Sequence, residues 1–375
     1  MLTDSEWVWR EAPVITYGEV DKLRSNRVPD QSVLSLYLSI PADEAGLAEL
    51  PRHAAGLITI ATERAPGALR REDEQAALRA VAAHAADWRG HTVGILVSGE
   101  LGLCEVIPLP GRFAERAVLA PRPHVRPLLA AVQRHPDHRI VIISHRHTWL
   151  LAVAGDRIDV VSRVPADGEV SAGFGGWYLE PSHGLQRVTE LAPHLYQDAA
   201  AILDRQSRHG GSQPLVIGGR ADSITHLLAL LPRAVLADYA GGFAADPRTL
   251  TLTRACELAA PVMSHWAERR ERQFVQAIMA ARPGVPTAVG LNDSLVAVNE
   301  GTAELLLIPD EPTVPGFECE RCDVLSVRRD GCCDWGAASW PVPDLLEEMA
   351  WRTLHSGGQV ISARTLPCAA AARLR

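Results

Sequence analysis

A three-domain α/β protein is the fold this chain predicts, and three observations carry it. The chain has 375 residues, too many for one ordinary domain of roughly 100 to 150 residues. Short runs with strand character alternate with longer amphipathic runs, so strands and helices interleave along the sequence. Two turn-forming stretches interrupt that succession, "RHPDHR" at 134–139 and "PGVP" at 283–286. The expected domains are therefore 1–136, 137–283 and 284–375, all of α/β type, the last with a cysteine insert at 317–336.

In the first domain, "SVLSLYLSI" (32–40) alternates apolar and small polar residues and reads as a strand ended by Pro41. "REDEQAALRAVAAHAADW" (71–88) has Leu78, Val81, Ala82 and Ala85 along one helical face. "HTVGILVSGE" and "LCEVIPLP" follow as a strand pair about the turn Gly99-Glu100-Leu101-Gly102. In the second domain, 140–164 reads as three strands with a turn at Gly155-Asp156. The glycine-rich loop "SAGFGGWYLEPSHG" comes next, and then a helical pattern over 185–208 that Pro193 must restart or kink. "PLVIGG" is a buried strand whose Gly218-Gly219 reads as a turn, because neither phosphate-loop spacing follows it. "ADSITHLLALL" is the helix behind that strand, and 252–282 is a long helix broken or kinked near Pro261. In the third domain, "AVGLNDSLVAVNEGTAELLLIPDE" gives a helix and then a strand. After the cysteine segment, Asp344 caps a helix with Glu347 three residues on as its capping-box partner. Gly357 falls where that helix needs a residue at positive φ, and "QVISAR" starts the next strand.

Composition excludes several classes. Hydrophobic residues make up 47% and charged residues 22%, as in a globular protein. The formal net charge is −8, so no global basic field invites nucleic acid, and DNA is not an expected partner. "MLTDSEWVWREAP" lacks the apolar core of a signal peptide, and no run of 18 apolar residues occurs, so a cytoplasmic chain outside the membrane is expected. No G-x-S-x-G elbow supports a serine hydrolase.

Two groups of residues carry possible chemistry. Cys319, Cys322, Cys332 and Cys333 crowd into fifteen positions, while Cys104, Cys256 and Cys368 stand alone. The C-x₂-C spacing of Cys319 and Cys322 is the usual knuckle for two ligands of a structural zinc ion. Adjacent cysteines rarely aim both sulfurs at one ion, so Asp323, Asp334 or a water is an alternative fourth ligand, and a vestigial, metal-free knuckle is the other reading. His145 and His147 would share one strand face, without a carboxylate or third histidine to complete a metal site.

The order of segments resembles the archaeo-eukaryotic release factor family, which includes Pelota, and most of all its bacterial branch. The resemblance rests on "SVLSLYLSI" and "VGILVSGELGLCEVIPLPGR…RPHVRPLLAAV" in the first domain. It continues with "RIVIISHRHTWLLAVAGDRIDVV", the glycine loop and "PLVIGG" in the middle, then with "AVNEGTAELLLIPDE" and the cysteine insert. It implies a decoding-like first domain, an RNase H-like middle domain and an L7Ae-like last domain. It also implies the ribosome, with rRNA and tRNA, as partner, together with a translational GTPase.

Releasing members carry a catalytic Gly-Gly-Gln on a middle-domain loop, and Gly173-Phe174-Gly175-Gly176-Trp177 is the counterpart here, with Trp177 in place of the glutamine. The resemblance makes this loop an RNA-contacting tip, in which Gly173, Gly175 and Gly176 allow close approach, Trp177 stacks, and His183 and Arg187 reach phosphate. The plain alternative is a surface loop with Trp177 tucked onto its own domain. Gln186 is the one candidate to orient a hydrolytic water. The tripeptide Gly357-Gly358-Gln359 matches the family's spelling but sits between a helix and a strand of the last domain, so it is expected to be structural. The function expected is binding in or near the ribosomal A site without peptide release, in hibernation, rescue or stress. The alternatives are a peptidyl-tRNA hydrolase and an adaptor that has lost the ribosome.

Overall fold

Strand β2 (Val33–Ser39) shows how the N-terminal part of the chain is built. Its even residues Leu34, Leu36 and Leu38 pack on α1 (Glu44–Arg64) and α2 (Arg71–His84), with Leu50, Ala54, Ile58, Ala77 and Val81. Its odd residues Val33 and Tyr37 join a second core with Val125, Leu128, Leu345, Met349 and Trp351. Both faces are therefore dry, and one of them is covered by residues more than 300 positions along the chain. The sequence reading passed over α1, whose interior holds Pro51. Asp43 caps it by accepting the N–H of Gly46 at 2.7 Å, and its burial offsets the proline penalty of about 3 kcal/mol.

The fold is a mixed α/β architecture with several sheets, described in this computed structural model for residues 10–11, 20, 22–23, 33–65, 68–144, 147–155, 157–165, 192–210, 212–247, 249–280, 285–329 and 338–375. β1 (Arg10–Glu11), β3 (Thr92–Ser98), β4 (Leu103–Leu109) and β5 (Arg116–Ala120) complete the first sheet, in the order β1-β4-β3-β2-β5. α3 (Arg126–Arg134) follows it. The middle sheet contains β6 (His138–Ile143), β7 (His147–Ala154), β8 (Arg157–Pro165), β9 (Leu215–Gly219) and β10 (Tyr239–Ala244), in the order β10-β9-β6-β7-β8. β6, β9 and β10 run parallel, while β6-β7-β8 is an antiparallel meander. The helices of this region are α4 (Ala192–Gly210), α5 (Ala221–Leu230), α6 (Arg233–Ala237) and α7 (Leu252–Met279).

In the C-terminal part, β11 (Thr287–Val289), β12 (Ala303–Pro309), β16 (Gln359–Ala363) and β17 (Ala371–Leu374) form a sheet in the order β11-β17-β12-β16, with α8 (Leu291–Asn299) and α9 (Leu345–His355). β13 (Gly316–Cys319), β14 (Leu325–Ser326) and β15 (Ser339–Val342) form a small sheet, in the order β14-β13-β15. Residues 1–133 and 271–375 make up one compact unit, and 134–270 make up the other. No helix among the described residues is long and apolar enough to cross a membrane.

Several local readings change. Gly218 and Gly219 are the last residues of β9, not a turn. A Cβ on Gly218 would sit 2.3 Å from the Phe243 ring, so close packing excludes a side chain there. α7 passes through Pro261 without a break, because Ala255, Ala259 and Met263 stay buried along one face. β6 ends at Ile143 and β7 begins at His147, and His145, the other half of that pair, lies outside the described residues. Asp344 does cap α9, accepting the N–H of Leu346 at 3.1 Å, but Glu347 is engaged with residues of the N-terminal segment.

Candidate functional site

The glycine loop has a defined frame. β8, an edge strand of the middle sheet, is described to Pro165, and α4 from Ala192, with Pro193 in its first described turn. Proline suits that position, where no helical N–H partner is needed. Gly173, Gly175, Gly176, Trp177, His183, Gln186 and Arg187 all lie outside the described residues.

The cysteine segment is described in its first half. Cys319 ends β13 and is buried, while Cys322 is exposed. Between them the chain turns tightly. The N–H of Asp323 donates to the carbonyl of Cys319 at 3.0 Å, and the N–H of Cys319 donates to the carbonyl of Val324 at 3.0 Å. Asp323 has φ +56°, the one positive-φ residue other than glycine among those described. This closed knuckle offers two thiols, a donor set that fits a soft cation. The Arg329 carbonyl accepts the Ser339 hydroxyl at 2.9 Å, which ties together the two ends of the segment carrying Cys332 and Cys333. Those two cysteines lie outside the described residues. Cys104 belongs to no such site, since burial pushes its thiol up to about 12, where it is inert as a nucleophile.

The sequence reading missed the most elaborate polar cluster. Residues 122–126, "RPHVR", form a strap between β5 and α3, and α9 grips it. Glu347 accepts the N–H of Val125 at 2.6 Å and of Arg126 at 3.2 Å. His124 Nδ1 lies 2.9 Å from Glu347 Oε2, in a geometry that does not make a hydrogen bond. The Arg126 guanidinium binds Asp344 and the carbonyl of Pro309. Trp351 Nε1 donates to the Pro123 carbonyl at 3.1 Å. From β2, the Ser35 hydroxyl accepts the N–H of His124 at 2.9 Å, and the Tyr37 hydroxyl donates to the His124 carbonyl. Arg122 stands 3.8 Å from Glu348, and Arg116 pairs with Glu311.

Burial works against the Glu347 carboxylate, yet His124, the Val125 N–H and Arg126 outweigh it and hold the group below the usual carboxylate range. Burial pushes Glu348 up, with Arg122 opposing. Burial also pushes Tyr37 well above its ordinary value, so it stays neutral.

His124, Asp344 and Glu347 present ligand-type atoms within 4.8 Å of one another. A cation does not fit there, because all four carboxylate oxygens already accept: Glu347 from the strap, and Asp344 from Arg126, Val314 and Leu346. The Arg126 guanidinium already fills the cationic position, so the cluster is an ion network joining two segments of one unit.

Comparison with known proteins bears on the middle of the chain. Residues 123–275 match the family described as bacterial archaeo-eukaryotic release factor family 10. That span runs from the strap to α7 and includes the glycine loop. No curated protein matches the sequence. Among solved structures, the archaeal translation termination factor aRF1 is 17% identical over 96% of each chain, with a TM-score of 0.23. Archaeoglobus fulgidus Pelota is 13% identical over 77% of this chain and 80% of its own, with a TM-score of 0.35. S. cerevisiae Dom34 is 11% identical over 76% and 79%, with a TM-score of 0.40. The matched model, over 123–275, is of the release-factor family that the sequence resembles.

Proposed function

We propose that this release-factor-like chain acts at the ribosome, binding in or near the A site without releasing peptide. The observation that carries the reading is the family match over 123–275, together with the sequence inside it. The loop keeps Gly175-Gly176 and has Trp177 where releasing members need glutamine. Glycine lets a backbone enter a crowded RNA site, and tryptophan adds a stacking surface, but tryptophan cannot place an attacking water. Hibernation, rescue or stress control suits such a binder. A cytoplasmic location, a translational GTPase partner, an RNase H-like middle domain and an L7Ae-like C-terminal domain all follow from the family resemblance and stand as proposals with it.

Co-sedimentation with ribosomes at low and high salt tests the reading, paired with peptide release from ribosomes carrying peptidyl-tRNA. The wild type is expected to sediment with ribosomes and release nothing. Trp177→Ala is expected to weaken binding by roughly 1–3 kcal/mol, the worth of one aromatic–base stack. Robust release that Gln186→Ala abolishes would establish the hydrolase instead. Failure to sediment at any salt would leave the adaptor reading.

The insert at 317–336 is proposed to hold one structural zinc ion through Cys319, Cys322 and at least one of Cys332 and Cys333. The closed knuckle at Cys319–Asp323 supports this. Elemental analysis of protein purified without added metal is expected to find about one zinc per chain, lost as pH falls and the thiolates protonate. A metal-free protein with reactive thiols would make the knuckle vestigial.

A further inference from the structure

The turn at Cys319–Asp323 is held from outside by two helices. β14 is an edge strand of the small sheet. Against it, the Asn299 side chain at the end of α8 takes the place of a neighbouring strand. Asn299 Oδ1 accepts the N–H of Leu325 at 3.0 Å, and its Nδ2 donates to the Leu325 carbonyl at 2.9 Å. Facing residues of antiparallel strands exchange the same pair of bonds. Arg352, in the last turn of α9, ties that amide to β13. Its Nη1 donates to Asn299 Oδ1 at 3.2 Å and its Nη2 to Glu318 Oε1 at 2.9 Å. Glu318 directly precedes Cys319, and Leu325 directly follows Val324, whose carbonyl accepts the Cys319 N–H. Both strand ends beside the turn are therefore fixed, and both Glu318 and Leu325 are buried. Leu325 also shares a core with Met349 and Trp351 of α9, and a Cβ on Gly316 would sit 2.3 Å from Leu345.

We infer that Asn299 and Arg352 are positioning residues for a thiolate-bound cation at this knuckle. The inference rests on the zinc reading of the insert. β13 and β14 pair over only Phe317–Ser326 and Glu318–Leu325. A hairpin that short does not hold its own shape in water. The shape of the turn, and with it the placing of the Cys319 and Cys322 thiols, is therefore set by the clamp from α8 and α9. A site ordered before binding spares the cation the cost of ordering it. Supporting side chains of this kind set metal affinity without touching the metal. The coupling is reciprocal, so a bound cation steadies the ends of α8 and α9 in return.

Zinc affinity of the reduced full chain, measured by competition with a chromophoric chelator, tests this. Asn299→Leu keeps the size of the side chain and removes its three hydrogen bonds. It is expected to weaken zinc binding by about tenfold. Arg352→Met is expected to do the same, and Arg352→Lys, which keeps the charge, to fall between it and the wild type. Gln133→Leu is the control, because Gln133 makes the same kind of two-way amide clamp on Val360 and Ser362 of β16, outside the knuckle sheet. It is expected to leave zinc affinity unchanged. Amide exchange of the wild type with and without zinc needs no variant. Protection at Asn299, Leu325 and the last turn of α9 is expected to fall when zinc is removed, while the β6–β9 peptides keep theirs. Zinc binding by the clamp variants as tight as in Gln133→Leu overturns the inference and leaves the zinc site standing. Unchanged protection at Asn299 and Leu325 on zinc removal overturns it too. A wild type that binds no zinc removes the zinc reading, and this inference with it.

Discussion

The seam of the first unit and the sheet of the second are closed by different physics. In the second unit, Val141, Ile143, Leu150, Leu215 and Ile217 of the sheet meet Leu195, Ala199, Leu203 and Leu227 of the helices. The opposite face is equally apolar, with Ile140, Ile142, Leu151 and Val216 against Ala255, Ala259 and Met263. Its best-buried ion pair among the described residues, Arg139 with Asp238 at 3.2 Å, sits at the start of β6. In the first unit, the contact between distant segments has an apolar part, with Val33, Tyr37 and Leu128 against Leu345, Met349 and Trp351, and adds to it a buried ion network of Arg126, His124, Asp344 and Glu347. An apolar layer tolerates many partners of similar size, whereas a buried ion network accepts only its own. The first unit therefore gains a specific register between strap and helix, at the risk of a large loss if one member is removed.

Arg126→Ala should show the largest effect. It leaves Asp344 buried without its cation and the Pro309 carbonyl without its donor, a change expected to cost roughly 3–5 kcal/mol. Amide exchange should localise the loss to the strap and α9 while the β6–β9 peptides stay protected. Arg139→Met in the other unit should cost less, about 1–3 kcal/mol, because the Ser212 hydroxyl still donates to Asp238. Equal losses for the two variants would erase the contrast.

Gly218→Val probes the apolar side of the comparison. A Cβ there would meet the Phe243 ring at 2.3 Å and Ile142 at 2.8 Å. Overpacking of this kind costs typically 1–3 kcal/mol, and denaturant unfolding of the variant measures it. A neutral outcome would mean that the layer yields more readily than its packing implies.

Acid should distinguish the units next. Glu347 has its folded value depressed, so its contribution is present above the ordinary carboxylate range and is lost as pH falls through the folded value. The first unit should lose protection at the strap at strongly acidic pH, before the apolar layers of the second unit open. Thermal unfolding and peptide-level exchange between pH 5 and 2 would show the order, and Glu347→Gln should remove the acid-dependent part.

The contrast also explains what was legible in the sequence. Three strands over 140–164 were readable because their apolar, β-branched runs are a local signal, which β6 and β7 bury and the edge strand β8 leaves partly exposed at Val160 and Val161. The stop of α9 was readable too, since Gly357 has φ +78° where a helix end asks for it. The grip of α9 on the strap was not, because Glu347 meets Val125 across 222 positions and no local pattern encodes that pairing. Asp344 and Glu347 read as a helix cap and its capping-box partner, which accounts for both acids locally. The candidate site divides the same way: the C-x₂-C spacing announced the knuckle, but nothing local announced a buried histidine at 124.

The smallest expected effect belongs to Gln359→Ala. Gly357-Gly358-Gln359 spells the catalytic tripeptide of the release factors, yet its surroundings are those of a helix end and a strand start. The N–H of Gly357 donates to Leu354 at 3.1 Å and that of Gly358 to Thr353 at 2.8 Å, closing α9. Gln359 opens β16, paired in parallel register with Leu305, and its side chain is exposed. An exposed side chain at a strand start should change stability by less than about 0.5 kcal/mol on truncation. Ribosome co-sedimentation should likewise be unchanged. Gly357→Val, three atoms larger and forced to positive φ, should by contrast destabilise the first unit measurably. If Gln359→Ala abolished ribosome binding or an observed peptide release while the unfolding midpoint stayed put, the tripeptide would be chemistry after all, and the middle-domain loop would lose its place as the functional tip.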